Sequence, residues 1–189
     1  MEMKRWIMML VASMFMVATY GATTSQQLSL IPLPKSVEMG DGEFVFGKKL
    51  TVMVTPVAEE LFADFSKEFS ASTGLIIKYT RKSNKAQVEL HCVPSMAPEA
   101  YRLKVTSSKI EICAAEPAGF YYALQTLKQL LPRNVMAGVA DPTVTEWSIP
   151  CVEIEDEPRF AWRGFMLDEG RHFFGKEAVK RVIDVMAAY

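Results

Sequence analysis

The chain has 189 residues, half of them hydrophobic, with a formal net charge of -1. That length suits one domain, or one domain and a piece of another, with enough apolar residues for a real core. The near-neutral charge excludes the basic footprint of a nucleic-acid binder and the polybasic patch of a membrane-surface protein.

Lys4 and Arg5 precede an almost unbroken apolar run over residues 7–17, and Thr19, Gly21 and Ala22 supply small residues after it. This pattern predicts a signal peptide over residues 1–22, and with it export to the periplasm or beyond. The run is shorter than the ~20 apolar residues that a spanning helix needs, so no membrane span is expected after cleavage. Export permits disulfides, but the cysteines are three: Cys92, Cys113 and Cys151. Cys92 shares strand parity with Val88 and Leu90, a core face, whereas Cys113 shares parity with Glu111, so the two are not expected to be bridged. No Cys/His spacing suggests zinc, and no metal or cofactor is expected.

A polar stretch over residues 23–29 leads to Pro32 and Pro34, which impose an extended entry. Residues 43–46 and 50–54 read as short strands joined at Gly47. Thr55 and Pro56 then open a helix. Ala58, Leu61, Phe62, Phe65 and Phe69 give it one apolar face, and Gly74 ends it. Residues 75–80 form the next strand and 81–85 a basic, solvated turn. Residues 87–93 alternate apolar and polar, with His91 on the polar face. Strands at 101–105 and 110–114 flank the turn Thr106-Ser107-Ser108-Lys109 as a hairpin. Pro117 opens a second helix with Phe120, Ala123, Leu124, Leu127 and Leu131 on its apolar face, and Pro132 stops it. Residues 134–145 read as a loop and 147–154 as a short extended link.

Close strand spacing leaves too little chain for helical crossovers at several steps, which points to antiparallel pairing. The expected fold is α+β: a mostly antiparallel sheet with two helices on one face. The last unit differs. Phe165-Met166-Leu167 is a short apolar strand of the kind buried on both faces. Residues 168–175 form a polar loop, and residues 176–189 a helix with Val179, Val182, Ile183 and Met186 on one face. One β/α unit cannot bury its strand without parallel neighbours, and none follows in these 189 residues.

Several separated blocks carry a resemblance. Residues 160–168, Phe-Ala-Trp-Arg-Gly-Phe-Met-Leu-Asp, with Arg171-His172-Phe173, resemble the first barrel strand and loop of family 20 glycoside hydrolases, the β-N-acetylhexosaminidases. Glu99-Ala100-Tyr101-Arg102-Leu103, residues 119–131 and the entry Ile31-Pro32-Leu33-Pro34 resemble the N-terminal accessory domain of that family. After the signal peptide at 1–22, the resemblance implies an accessory domain at 23–152 and the start of a (β/α)8 catalytic barrel at 153–189 whose remainder is missing. It also implies removal of terminal N-acetylglucosamine or N-acetylgalactosamine from glycans. The sugar's own acetamide attacks the anomeric carbon, an Asp orients it, and a neighbouring Glu protonates the leaving oxygen, an exception to the usual two-carboxylate scheme. That Asp-Glu pair lies on a later barrel strand, so no catalytic residue is expected in this chain, which alone should be inactive.

One binding position carries over by resemblance. Arg163 matches the arginine that hydrogen-bonds the hydroxyls of the terminal sugar, a task suited to the fixed donors of a guanidinium. Its alternative is a structural ion pair. Asp168 and Arg171 are read as an ion pair that shapes the loop, and His172 has no identifiable partner carboxylate. The competing reading of the whole chain is a non-catalytic glycan-binding or interaction module. That would require an exposed row of aromatics, which the core-facing pattern of the accessory region does not supply.

Overall fold

The computed structural model describes residues 28–132, 135, 143–144 and 146–189. The expected signal peptide and most of the expected loop at 134–145 lie outside the described residues.

Seven strands form one sheet: β1 (Ser36–Phe46), β2 (Lys49–Met53), β3 (Ile76–Tyr79), β4 (Val88–Cys92), β5 (Tyr101–Val105), β6 (Ile110–Ala114) and β7 (Trp147–Asp156). Their spatial order is β1-β7-β5-β6-β4-β2-β3. Helix α1 (Glu59–Thr73) follows a 3-10 turn at Pro56–Ala58, and helix α2 (Pro117–Leu130) follows β6. Gly74 closes α1 in the left-handed conformation at φ 73°, donating its N–H to the Ser70 carbonyl at 2.9 Å. This is the conformation in which glycine meets no Cβ penalty. The indole Nε1–H of Trp147 donates to the Thr73 carbonyl at 3.1 Å, tying the end of α1 to β7.

Both helices bury their apolar stripes in one core cluster with the inward residues of the sheet. Phe62, Phe65 and Phe69 from α1 meet Phe120, Ala123, Leu124 and Leu127 from α2 over Phe44, Val52, Leu90, Leu103, Ile112 and Ile154. A fully buried side chain of this size contributes roughly 1.5–3 kcal/mol through removal from water. The other face of the sheet is charged, with Lys104 paired to Glu153 across β5 and β7 at 2.5 Å. Cys113 lies opposite His91 and Cys92 opposite Ala114 in the β4–β6 register, so the two thiols project to different faces. All three cysteines are free thiols.

The α+β arrangement matches the sequence expectation, and the structure refines it in four places. The sheet is antiparallel through β1, β7, β5 and β6 but parallel through β6, β4, β2 and β3. Close spacing forces antiparallel pairing only between strands that are neighbours. β4 follows β3 closely in sequence, yet β2 lies between them. The expected strand at 43–46 begins at Ser36 and passes through an irregularity between Met39 and Glu43, with Gly42 at φ 84°.

The expected link at 147–154 is a ten-residue strand held between β1 and β5. Pro150, which argues against an interior strand, pairs with Glu43 at the edge of that irregularity, one of the places where a sheet tolerates proline. β7 therefore runs across the expected domain boundary between residues 152 and 153 and ends at Asp156.

The fourth difference concerns the expected barrel strand. Residues 165–167 adopt no strand, and the segment from 157 to 175 is irregular. Its backbone pairs with no strand among the described residues, and a strand exists only through such pairing. Helix α3 (Lys176–Ala188) does form, since a helix satisfies its own backbone groups. It buries none of its residues, and Ile183, Val185 and Met186 stay exposed. Among the described residues, no helix is long and apolar enough to cross a membrane.

Candidate functional site

The geometry that places Arg163 begins at Gly119, in the first turn of α2. A Cβ there would lie 2.4 Å from the carbonyl oxygen of Ala100 and 2.9 Å from the Cβ of Ala114. Only glycine lets the helix come this close to the turn that precedes β5. That approach sets Tyr122, one helical turn further on, beside Glu99. The Tyr122 hydroxyl donates to Glu99 Oε1 at 3.0 Å. Arg163 completes a triangle: its Nη2 donates to Glu99 Oε1 at 3.0 Å and to the Tyr122 hydroxyl at 2.9 Å. Its guanidinium also lies over the Tyr122 ring, 5.7 Å from the centroid, and Nη1 donates to the Phe160 carbonyl.

The electrostatics follow from these contacts. The Arg163 guanidinium, and after it the Tyr122 hydroxyl, hold the Glu99 carboxyl below its ordinary value. Burial, and then the Glu99 carboxylate, push the Tyr122 phenol up. The ion pair keeps 43% and 35% of its side-chain surfaces exposed, so by itself it contributes at most ~1 kcal/mol. Arg163 is thus oriented by residues 41 and 64 positions away in the chain.

Asp168 and Arg171 lie in the following loop and do not join this triangle. Asp168 Oδ1 accepts the backbone N–H groups of Gly170 at 3.0 Å and Arg171 at 2.9 Å, and its other oxygen pairs with the Arg171 side chain. These bonds, the Arg171 backbone first, lower the Asp168 carboxyl from its ordinary value. Glu169 Oε2 accepts the Phe174 N–H at 3.1 Å, closing the loop. His172 is exposed, and its ring lies near that of Phe174, with centroids 5.4 Å apart.

A second cluster lies on the charged face of the sheet. Glu89 is 1% exposed and accepts bonds from Ser83 at 2.5 Å, His91 at 2.8 Å and Lys109 at 2.8 Å. Burial alone would raise its carboxyl, but the bonds from Lys109, Ser83 and His91 outweigh it and lower the value. Glu89, His91 and Glu111 each offer a ligand atom within 4.8 Å of the others. The ammonium of Lys109, also 3.4 Å from Glu111, already supplies the positive charge these carboxylates require. The hairpin turn fixes that lysine, since Thr106 Oγ1 donates to its carbonyl and accepts its N–H, both at 3.0 Å. The turn at 81–85, read from sequence as simply solvated, contributes Ser83 to this network.

Sequence reasoning singled out Arg163 and left its partners unassigned. Glu99 and Tyr122 stand in the blocks that carry the family resemblance, but nothing in their spacing indicates that they meet Arg163. Glu89 went unnoticed because it occupies a polar-face position of an alternating strand. A buried carboxylate there becomes visible only once Lys109 and Ser83 fold over it.

Residues 27–157 match Glycosyl hydrolase family 20, domain 2, and residues 160–189 match the catalytic domain of that family. The β-hexosaminidase of Porphyromonas gingivalis is 31% identical over 167 residues, which cover 86% of this chain and 21% of that protein. The β-N-acetylhexosaminidase of Streptomyces coelicolor superposes with a TM-score of 0.75 at 32% identity, over 85% of this chain and 32% of that one. A Streptomyces plicatus β-hexosaminidase mutant in complex with its product GlcNAc gives a TM-score of 0.74 at 32% identity, with the same coverage of both chains. The chain spans about a fifth to a third of the length of these relatives. With its domain-2 match covering most of the sequence and the catalytic match following within three residues, the chain belongs to glycosyl hydrolase family 20.

Proposed function

We propose that this chain serves a β-N-acetylhexosaminidase, supplying its accessory domain and the first β/α unit of its catalytic barrel. The enzyme would release terminal N-acetylglucosamine or N-acetylgalactosamine from glycans by substrate-assisted, retaining catalysis. The observation that carries this reading is the contiguous match of both family-20 domains in their order along the chain. The GlcNAc complex of the Streptomyces plicatus relative supports the sugar class.

Within this reading, Arg163 contacts the hydroxyls of the bound sugar through its guanidinium donors. Asp168 and Arg171 shape the adjoining loop. The general acid and the acetamide-orienting carboxylate lie outside these 189 residues, so the chain alone binds sugar weakly and does not hydrolyse it. Residues 1–22 direct export, and the mature protein works in the periplasm or outside the cell.

Incubation of the purified 189-residue chain with a chromogenic N-acetylglucosaminide tests the assignment of chemistry. The expected result is no release above a buffer blank, and sustained turnover would overturn it. Saturable, tight binding of chitooligosaccharides without turnover would instead favour a glycan-binding module.

A further inference from the structure

The Glu99–Tyr122 pair has the form of a receptor for a planar cation. Glu99 supplies a carboxylate acceptor and Tyr122 a hydroxyl acceptor, which together take up Nη2 of Arg163, while the Tyr122 ring offers its negative face at 5.7 Å. The Tyr122 hydroxyl donates to Glu99, so the two groups hold each other in place when they receive the arginine. Both belong to the folded domain: Glu99 lies in the turn against which Gly119 packs, and Tyr122 lies on α2. The guanidinium comes from the segment beyond β7, in which none of the described residues is buried. A guanidinium suits this site because one of its nitrogens reaches both acceptors while its delocalised charge lies over the ring.

We infer that Glu99 and Tyr122 form a guanidinium-binding site on the accessory domain that latches the start of the catalytic segment through Arg163. The latch has a functional consequence that rests on the sugar-contact reading of Arg163. Glu99 and Tyr122 take both N–H groups of Nη2, so that edge of the arginine cannot serve sugar hydroxyls at the same time. While latched, Arg163 has only its Nε–H and one N–H of Nη1 left for sugar hydroxyls, so the accessory domain competes with the sugar for Nη2. Glu99 and Tyr122 are positioning residues, since they act only through the arginine.

The test is NMR of the full 189-residue chain carrying 15N-arginine, together with amide exchange of residues 160–163. A latched guanidinium rotates slowly about its Cζ–Nη bonds and gives resolved Nη signals. Glu99→Gln and Tyr122→Phe are each expected to abolish these signals for Arg163. Glu99→Gln should also raise amide exchange at 160–163 by up to roughly 5-fold, with exchange in β5 unchanged as the control for folding. Combining Glu99→Arg with Arg163→Glu should restore the protection, because the pair is re-formed with its charges exchanged. Absence of resolved Arg163 signals in the unmodified chain, or unchanged exchange at 160–163 in Glu99→Gln, would overturn the latch. No sugar enters these measurements, so their failure and a failure of the hydrolase reading are distinguishable.

Discussion

Two regions of the molecule carry similar apolar sequence and treat it in opposite ways. In the sheet, Leu103 of β5 is fully buried, with β6 on one side, β7 on the other and α2 packed over β5. In the segment beyond β7, Met166 is 93% exposed and Trp162 86% exposed. Hydrophobicity is the same driving force in both. What differs is the supply of partners: β5 has two neighbouring strands and a helix above it, while Phe165-Met166-Leu167 has neither among the described residues. An apolar run becomes a strand only where another backbone is present to receive its hydrogen bonds.

Point substitutions widen that comparison. Phe120→Ala removes a fully buried ring from the helix–sheet core and should destabilise the accessory domain by ~3–5 kcal/mol, read as a large fall in denaturation midpoint. Met166→Ala should change stability by no more than ~0.5 kcal/mol, as expected of a side chain that is 93% exposed. Comparable losses from the two substitutions would show that the segment packs as a core element after all.

Acid should separate the regions by a smaller effect. Glu89 and Glu99 bind their protons more weakly in the folded chain than at their ordinary value of 4.5. The unfolded chain therefore takes up protons first, and the stability these groups contribute above about pH 4.5 is lost as pH falls through the lowered values. For Glu89 the loss should appear in the melting temperature of the accessory domain. For Glu99 it should appear as release of Arg163, with the β5 and β7 amides still protected. A melting temperature that stays flat between pH 6 and pH 3 would contradict the role given to Glu89.

The accessory fold was legible because its signals are local. Thr55-Pro56 open the 3-10 turn that leads into α1 and Gly74 closes α1, Pro117 and Pro132 bracket α2, and the alternation in β4, β5 and β6 marks the inward face. The strand order was not legible, since the insertion of β2 between β3 and β4 is a long-range choice that no local pattern encodes. β7 reads from sequence as an extended link because its partners β1 and β5 are distant in the chain, and the irregularity that accommodates Pro150 is seen only in the pairing with β1. At the candidate site, Arg163 stood out through family resemblance, and Asp168 with Arg171 as opposite charges in one loop of a family-like block. Glu99 and Tyr122 could not be joined to Arg163 from sequence, because their meeting depends on the contact of Gly119 with Ala100.

Hydrogen exchange on the whole chain tests the central contrast most directly. The account predicts that the amides of Leu103, Val105 and Ile154 exchange only as the sheet unfolds, while those of Phe165, Met166 and Leu167 exchange close to the rate of an unstructured peptide. Protection across residues 165–167 comparable to that in β5 would contradict it.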